Sequence, residues 1–264
     1  MSDISIELSE EQRLVQNAAR DFAQDEVEPL AKKVDEEHYF PEELVPKLSA
    51  LGFMGVTVPD EFGGAGLDYV SYALIVEELA RACASTSVIV SAHNSLCIWP
   101  ILKYGTDEQK KKYLPKLASG EWIGCFALSE PGTGSDAGRQ TCSAKKDGKD
   151  WIIQGDKNWI TNAPVADICI LLAMEDPDKM HKGINAYIVE LKNTEGVSVG
   201  KKEDKLGICG SPTASISFDK AKLGADQLLG KEGEGFKIAM TTLDGGRIGT
   251  VSYTHLTLPT RRGV

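Results

Sequence analysis

The chain has no C-x-x-C pair among its six cysteines (Cys83, Cys97, Cys125, Cys142, Cys169, Cys209), and its four histidines are equally scattered. Such spacing assembles neither a structural zinc site nor a disulfide scaffold, so reduced, mostly buried thiols are expected. Long hydrophobic runs are missing too: no stretch reaches the roughly 18 uninterrupted apolar residues of a membrane span, so no membrane insertion is expected. The N-terminal stretch carries Asp3, Glu7, Glu10, Glu11, Asp21, Asp25 and Glu26 and lacks the apolar run of a secretion signal. That pattern points to a cytoplasmic protein in a bacterium, or to the mitochondrial matrix in a eukaryote. Positive charge is scarce, with 29 Lys and Arg against 39 Asp and Glu and a formal net charge of −10. A general nucleic-acid binder, which needs a basic face to displace counterions from phosphates, is thereby excluded. A single phosphate-bearing ligand held by local cations and backbone amides is not.

What is present divides along the chain. From Glu10 to Leu117 the spacing is helical: Leu14, Ala18 and Phe22 recur every four residues, and Leu44, Leu48 and Leu51 follow Pro41 until Gly52 ends the run. Asp68 can cap a helix on which Val70, Leu74, Glu78 and Ala82 mark successive turns, and Thr106 to Gln109 reads as a capping box. After Gly120 the segments become short and rich in β-branched and aromatic residues: 121–128, 140–145, 151–160, 168–173, 186–191 and 214–218. Turn signals accompany them at 146–148, 154–156 and 194–196. Helical spacing returns over 234–243. The fold class expected is α+β and multidomain: a helical bundle, an antiparallel β-barrel-like middle domain, and the first helix of a further helical domain. The corresponding ranges are 1–121, 122–230 and 231–250, with 251–264 read as a non-native tail.

Phe126 to Gly138, FALSEPGTGSDAG, superficially suggests a dinucleotide fingerprint. Gly138 comes one place late and strand-like sequence follows instead of a helix, so the motif fails the context that a nicotinamide site requires. Its glycines instead let backbone amides approach a ligand, with Ser129 and Ser135 adding hydroxyls; the plainer reading is a polar hairpin loop. Lys157 to Asn162, KNWITN, places an indole beside a hydroxyl at a strand end, which suits a flat heteroaromatic ring; the plainer reading is a core tryptophan.

Taken in order, FALSEPGTGSDA, DKNWITNA, KLGICGSPTA and LDGGRIG closely resemble the acyl-CoA dehydrogenase family, its short-chain, butyryl-CoA branch most of all. VPDEFGGAGLDY and CASTSVIVSAHNSL are similar to the family's helical N-terminal domain. The resemblance implies an FAD-dependent oxidoreductase of fatty acid β-oxidation that converts a short acyl-CoA to the trans-2-enoyl-CoA and passes electrons to an electron-transferring flavoprotein. It also implies a homotetramer with a C-terminal four-helix bundle. Phe126, Ala127, Leu128, Ser129, Gly134 and Ser135, then Trp159, Ile160 and Thr161, fall on the flavin-binding stretches. Ser135, Asp244, Gly245, Gly246 and Arg247 fall on the substrate-binding ones. An acyl-CoA oxidase or branched-chain dehydrogenase, and a non-catalytic flavin-binding scaffold, share enough of this pattern to stand as alternatives.

The catalytic glutamate of the short-chain branch aligns beyond the end of this sequence, so no residue here is expected in that role, and the chain reads as a truncated, inactive and poorly soluble fragment. Glu77 and Glu78 are expected to be solvated or capping, Glu130 to belong to the flavin loop, and His93 to be a packed, hydrogen-bonded histidine. Cys209 replaces the arginine usual in KLGIRGS and is expected to be a surface or interface change. The stretch TVSYTHLTLPTRRGV shows no helical face and reads as sequence foreign to the family.

Overall fold

The computed structural model describes residues 7–257. Its first layer is helical: α1 (Glu10–Phe22), α2 (Glu28–Glu36), α3 (Leu44–Ala50), α4 (Tyr69–Ala82), α5 (Ala84–Ser91), α6 (Trp99–Tyr104) and α7 (Asp107–Ala118). The caps are those the sequence proposes. Asp68 accepts from the Ser71 amide, and Thr106 and Gln109 form a reciprocal capping box. Gly52, at φ 75°, closes the turn after α3 in a backbone region that favours glycine. On α1 the buried stripe is shifted by one position from the expected one. Ala19, Phe22 and Ala23 are buried, whereas Leu14 is 64% exposed and Ala18 faces water. A spacing of four fits two neighbouring faces of a helix equally well, and here the packing partner lies on the other face.

The second layer is a sheet of eight strands: β1 (Gly124–Ala127), β2 (Ser143–Asp147), β3 (Asp150–Thr161), β4 (Ile168–Met174), β5 (Ile184–Glu190), β6 (Val197–Val199), β7 (Thr213–Leu223) and β8 (Leu228–Leu229). The order is β6-β7-β3-β2-β4-β5-β8, and β1 also pairs with β4. This corrects the barrel-like, antiparallel expectation in two respects. Both β1 and the start of β2 lie parallel to β4, and the path runs from β6 to β8 without closing. The reason lies in β4, which is buried along its whole length. Cys169, Leu171 and Ala173 enter the core inside the sheet, while Ile168, Ile170 and Leu172 enter a second core shared with α6, α7 and the last helix. A strand covered on both faces reads as a continuous apolar run, and the helices that cover it take the place of barrel closure.

That last helix, α8 (Gly235–Thr257), packs on α4, α5 and β5. It carries on past residue 250, contrary to the expectation of a non-helical tail, because an established helix propagates residue by residue at little cost even through threonines. The Thr250 and Ser252 hydroxyls donate to the carbonyls of Gly246 and Ile248 one turn back. Pro259 lies outside the described residues.

Two carboxylate expectations resolve differently. Glu77 is partly exposed and paired with Arg81, as expected, but Glu78 is 1% exposed and takes hydrogen bonds from Gln16 and Arg20. Cys209 is likewise buried, not superficial, and its thiol donates to the Lys205 carbonyl. His93 is the packed histidine expected: its Nδ1 accepts from the Gly124 amide and its Nε2 donates to the Leu117 carbonyl, each at 3.0 Å. Burial pushes its pKa down to about 4, which keeps the ring neutral and suited to this accept-and-donate role between α7 and β1.

Candidate functional site

The glycine loop starts where β1 ends. Glu130 and Thr133 exchange backbone hydrogen bonds across Pro131 and Gly132, forming a tight hairpin, and strands follow. Gly132 and Gly134 have no positive φ, and a Cβ added to either would meet nothing within 4 Å. Neither the turn nor internal packing therefore requires glycine there. The amides of Gly134 and Ser135 also donate to no acceptor among the described residues. Unsatisfied, unobstructed N–H groups suit an acceptor-bearing ligand.

Strand β3 supplies the second part. Its alternation buries Trp151, Ile153 and Lys157 on one side, and continuing that period would bury Trp159 as well. A bulge intervenes: Lys157 pairs with Ile216 but Ile160 pairs with Ala214, so β3 carries one extra residue at this point. Trp159 takes φ 61° and turns out to 60% exposure, while Ile160 takes the inward place. The core-tryptophan reading is thereby excluded. The turn expected at 154–156 is also absent, since β3 runs straight through Gly155, whose φ of 138° sits opposite a bulge in β7.

Loop and strand are fastened together at a buried cluster that the sequence reading missed. The Lys157 ammonium and the Glu130 carboxylate, both 0% exposed, are 2.8 Å apart. Lys157 also donates to the Leu128 carbonyl and to Gln140 Oε1, each at 3.2 Å. Glu130 further accepts from the amides of Thr141 and Cys142 and from the Thr141 hydroxyl. The Asn158 amide donates to the Ser129 carbonyl at 2.8 Å. Burial alone would raise the Glu130 pKa, but the Lys157 charge and these donors outweigh it and hold it below the usual carboxylate value. The available signal was the period of two from Trp151 and Ile153, which already directed Lys157 inward.

Helix α8 closes the site. A cleft of about 600 Å³ lies between the glycine loop and α8, lined among others by Leu128, Gly134, Ser135, Phe236 and Arg247. A smaller cavity of about 160 Å³ lies between α5 and α8, lined by Ser91, Leu96, Thr161, Gly246 and Arg247. Leu243 and Arg247 border both spaces. Of the residues singled out from sequence, Leu128, Gly134, Ser135, Thr161, Gly246 and Arg247 thus gather around these two neighbouring volumes, whereas Ser129 and Trp159 line neither. Phe126, Ala127 and Ile160 point into the cores and can offer a ligand only backbone groups. Asp244 is exposed and paired with Arg247 at 2.5 Å, and Gly245 lies toward Tyr69. The single carboxylate lining the larger cleft, Asp136, is exposed and paired with Arg139, so no buried proton acceptor stands there among the described residues.

The family models for the acyl-CoA dehydrogenase N-terminal domain and middle domain match residues 9–121 and 125–221. The chain belongs to the acyl-CoA dehydrogenase family. It is 50% identical over 248 residues to the human mitochondrial short-chain specific acyl-CoA dehydrogenase, a match covering 94% of this chain and 60% of the human one. The butyryl-CoA dehydrogenase of Megasphaera elsdenii superposes with a TM-score of 0.91 at 40% identity, covering 95% of this chain and 66% of that one. A Mycobacterium smegmatis glutaryl-CoA dehydrogenase, solved in complex with FADH2, superposes with a TM-score of 0.86 at 32% identity, covering 93% and 62%. The chain therefore spans about three fifths of the length of the human relative. Among the described residues no helix is long and apolar enough to cross a membrane.

Proposed function

We propose that this chain is the flavin- and acyl-thioester-holding part of a short-chain acyl-CoA dehydrogenase, whose reaction is the FAD-dependent α,β-dehydrogenation of a short-chain acyl-CoA to the trans-2-enoyl-CoA. The observation that carries the reading is the convergence of three ligand-facing features on two neighbouring volumes that share Leu243 and Arg247 as lining residues. These are free amides at Gly134 and Ser135, Thr161 just beyond the bulge in β3, and Arg247 on α8 bordering both spaces; Trp159, turned out by that bulge, lines neither space. Sequence identity to short-chain dehydrogenases and the FADH2 complex of a structural relative support it.

The residues fit a flavin by their chemistry. A 60% exposed indole on a rigid strand offers one aromatic face, the Thr161 hydroxyl and the loop amides offer donors to an acceptor-rich ring edge or phosphate, and no packing reason explains the glycines. FAD, when bound, supplies the acceptor for the β-hydrogen as hydride. The protein orients the thioester, stabilises the charge developing on its carbonyl with hydrogen bonds, and excludes water. Ser135 and the 244–247 stretch are assigned to the substrate, with Arg247 the one cation common to both volumes. The flavin contacts and the Ser135 substrate contact lie in 122–230, and the remaining substrate stretch, 244–247, lies in 231–250. An electron-transferring flavoprotein is the proposed electron acceptor and a homotetramer the proposed assembly.

The test is a visible spectrum of the purified chain after addition of FAD and gel filtration, followed by anaerobic titration with butyryl-CoA. Flavin absorbance that is retained and perturbed by butyryl-CoA is the expected result. Loss of all flavin on gel filtration would overturn the reading, and retained colour indifferent to butyryl-CoA would favour a flavin-binding scaffold.

A further inference from the structure

A buried ion pair is an expensive element. Replacing such a pair by apolar residues of similar volume is commonly neutral or stabilising, so net stability does not by itself explain a lysine and a glutamate that are both fully sequestered. Their other partners are more informative. Lys157 reaches back to the Leu128 carbonyl at the end of β1, and Glu130 gathers the amides of Thr141 and Cys142 where the chain re-enters β2. Both legs of the glycine loop are thus tied at their base to a single side chain on β3. That side chain lies two residues before Trp159, on the inward side of the bulge that turns the indole out.

We infer that Lys157 and Glu130 are positioning residues of the ligand site, fixing the glycine loop relative to the Trp159 bulge. Neither touches the cleft; both act through Leu128, through the Thr141–Cys142 amides, and through the backbone on either side of Trp159. The inference rests on the flavin reading given above. Without the clamp, the loop carrying the Gly134 and Ser135 amides keeps its Glu130–Thr133 hairpin and its Asp136–Arg139 turn, both internal to the loop, and is joined to β3 there by the Asn158–Ser129 bond. The two halves of the site then move independently, and the ordering of each falls on the ligand at the moment of binding.

The experiment removes both charges at once, in Lys157→Met with Glu130→Gln, so that no unpaired buried charge confounds the outcome. FAD affinity is read by fluorescence quenching, and amide hydrogen exchange is read over 129–139 and 158–162 in the flavin-free chain. With the double variant folded by near-ultraviolet circular dichroism, FAD binding is expected to weaken by about tenfold or more, the range in which supporting residues act at metal sites, with faster exchange in both segments. A folded double variant that binds FAD within about twofold of the parent, an affinity change well under 1 kcal/mol, would overturn the positioning role and leave the flavin reading standing. If the double variant does not fold, Thr141→Val decides, since it deletes one donor to Glu130 and leaves both charges in place. A smaller weakening with faster exchange confined to the same segments supports the inference, and unchanged binding and exchange overturn it. A parent chain that binds no FAD would instead overturn the flavin reading and the positioning role together.

Discussion

Two carboxylates sit almost wholly out of water, one in each layer, and the molecule treats them in opposite ways. Glu78, on α4, is neutralised from the outside: Arg20 and Arg81, which are 40% and 52% exposed, reach in over the edge of the helices. A cavity of about 120 Å³ beside them is lined by the same arginines and by Gln24 and Glu28. Glu130 is neutralised from the inside, by a lysine with no exposed surface whose remaining donors are spent on a carbonyl and an amide oxygen. The first arrangement keeps a dielectric reserve, because water reaches one side of each cation. The second keeps none, and its charges are held by fixed protein dipoles alone. A sealed pair is the more rigid device, and it lies at the base of the glycine loop; the open one joins α1 to α4 at the rim.

The largest effect expected from this contrast is the loss of one partner. Lys157→Met leaves the Glu130 carboxylate buried without a counter-charge, and the chain should lose about 3–5 kcal/mol of unfolding free energy. Arg20→Met leaves Glu78 with Gln16, Arg81 and nearby water, so its loss should be clearly smaller. Urea unfolding of the two variants against the parent measures both. Equal losses would mean that water or a rearranged neighbour reaches Glu130, and the distinction between sealed and open pairs would fall.

Acid extends the comparison to a third buried group. His93 is neutral in the folded chain, with a pKa of about 4 against an ordinary 6.5, so between these values the unfolded chain binds more protons. Stability contributed by the neutral ring is complete above pH 6.5 and is lost as the pH falls toward 4, by about 3 kcal/mol in all. Protonation would also abolish the bond in which Nδ1 accepts from the Gly124 amide. The Glu130 contribution behaves as a depressed carboxylate should: it is present above the ordinary value of 4.5 and is lost only as the pH drops below that, through its folded-state value. Unfolding measured from pH 7 to pH 4 should therefore show a loss that His93→Gln removes and Glu130→Gln does not. A parent chain whose stability is flat from pH 7 to pH 5 would show that His93 is not the sealed, neutral group described.

These contrasts also mark what the sequence could and could not reveal. Caps and the helix end at Gly52 were legible because they depend on a few adjacent residues. Segment composition gave the helical and β layers and six of the strands, but two short ones, β6 and β8, carried too few residues to register. The open sheet was not legible, since the pairing of β1 with β4 depends on contacts far apart in sequence, and only the unbroken apolar run of β4 hinted at helices on its outer face. For the site, the motifs located Gly134, Ser135, Thr161 and Arg247 around one pair of cavities. Trp159 and Lys157 show the limit: their opposite exposures follow from a one-residue bulge, and a bulge is fixed by the partner strand. Glu78 read as solvated because a glutamate in mid-helix usually is; its burial depends on Arg20 arriving from another helix.

The smallest effect is the most specific. Raising the salt from about 0.1 M to about 1 M shortens the screening length from roughly 10 Å to roughly 3 Å, which weakens interactions that solvent ions can approach. The arginines on Glu78 are approachable, so the stability lost in Arg20→Met should shrink at high salt. Lys157 and Glu130 exclude ions along with water, so the stability lost in Lys157→Met should stay the same. Differences between each variant and the parent are compared at each salt concentration, which cancels the general effect of salt on hydrophobic burial. If the Lys157→Met loss shrinks as much as the Arg20→Met loss, then solvent enters the base of the glycine loop in the native ensemble. The clamp would then be a breathing contact, and the rigidity attributed to it would have to come instead from the Glu130–Thr133 hairpin, the Asp136–Arg139 turn and the Asn158–Ser129 bond.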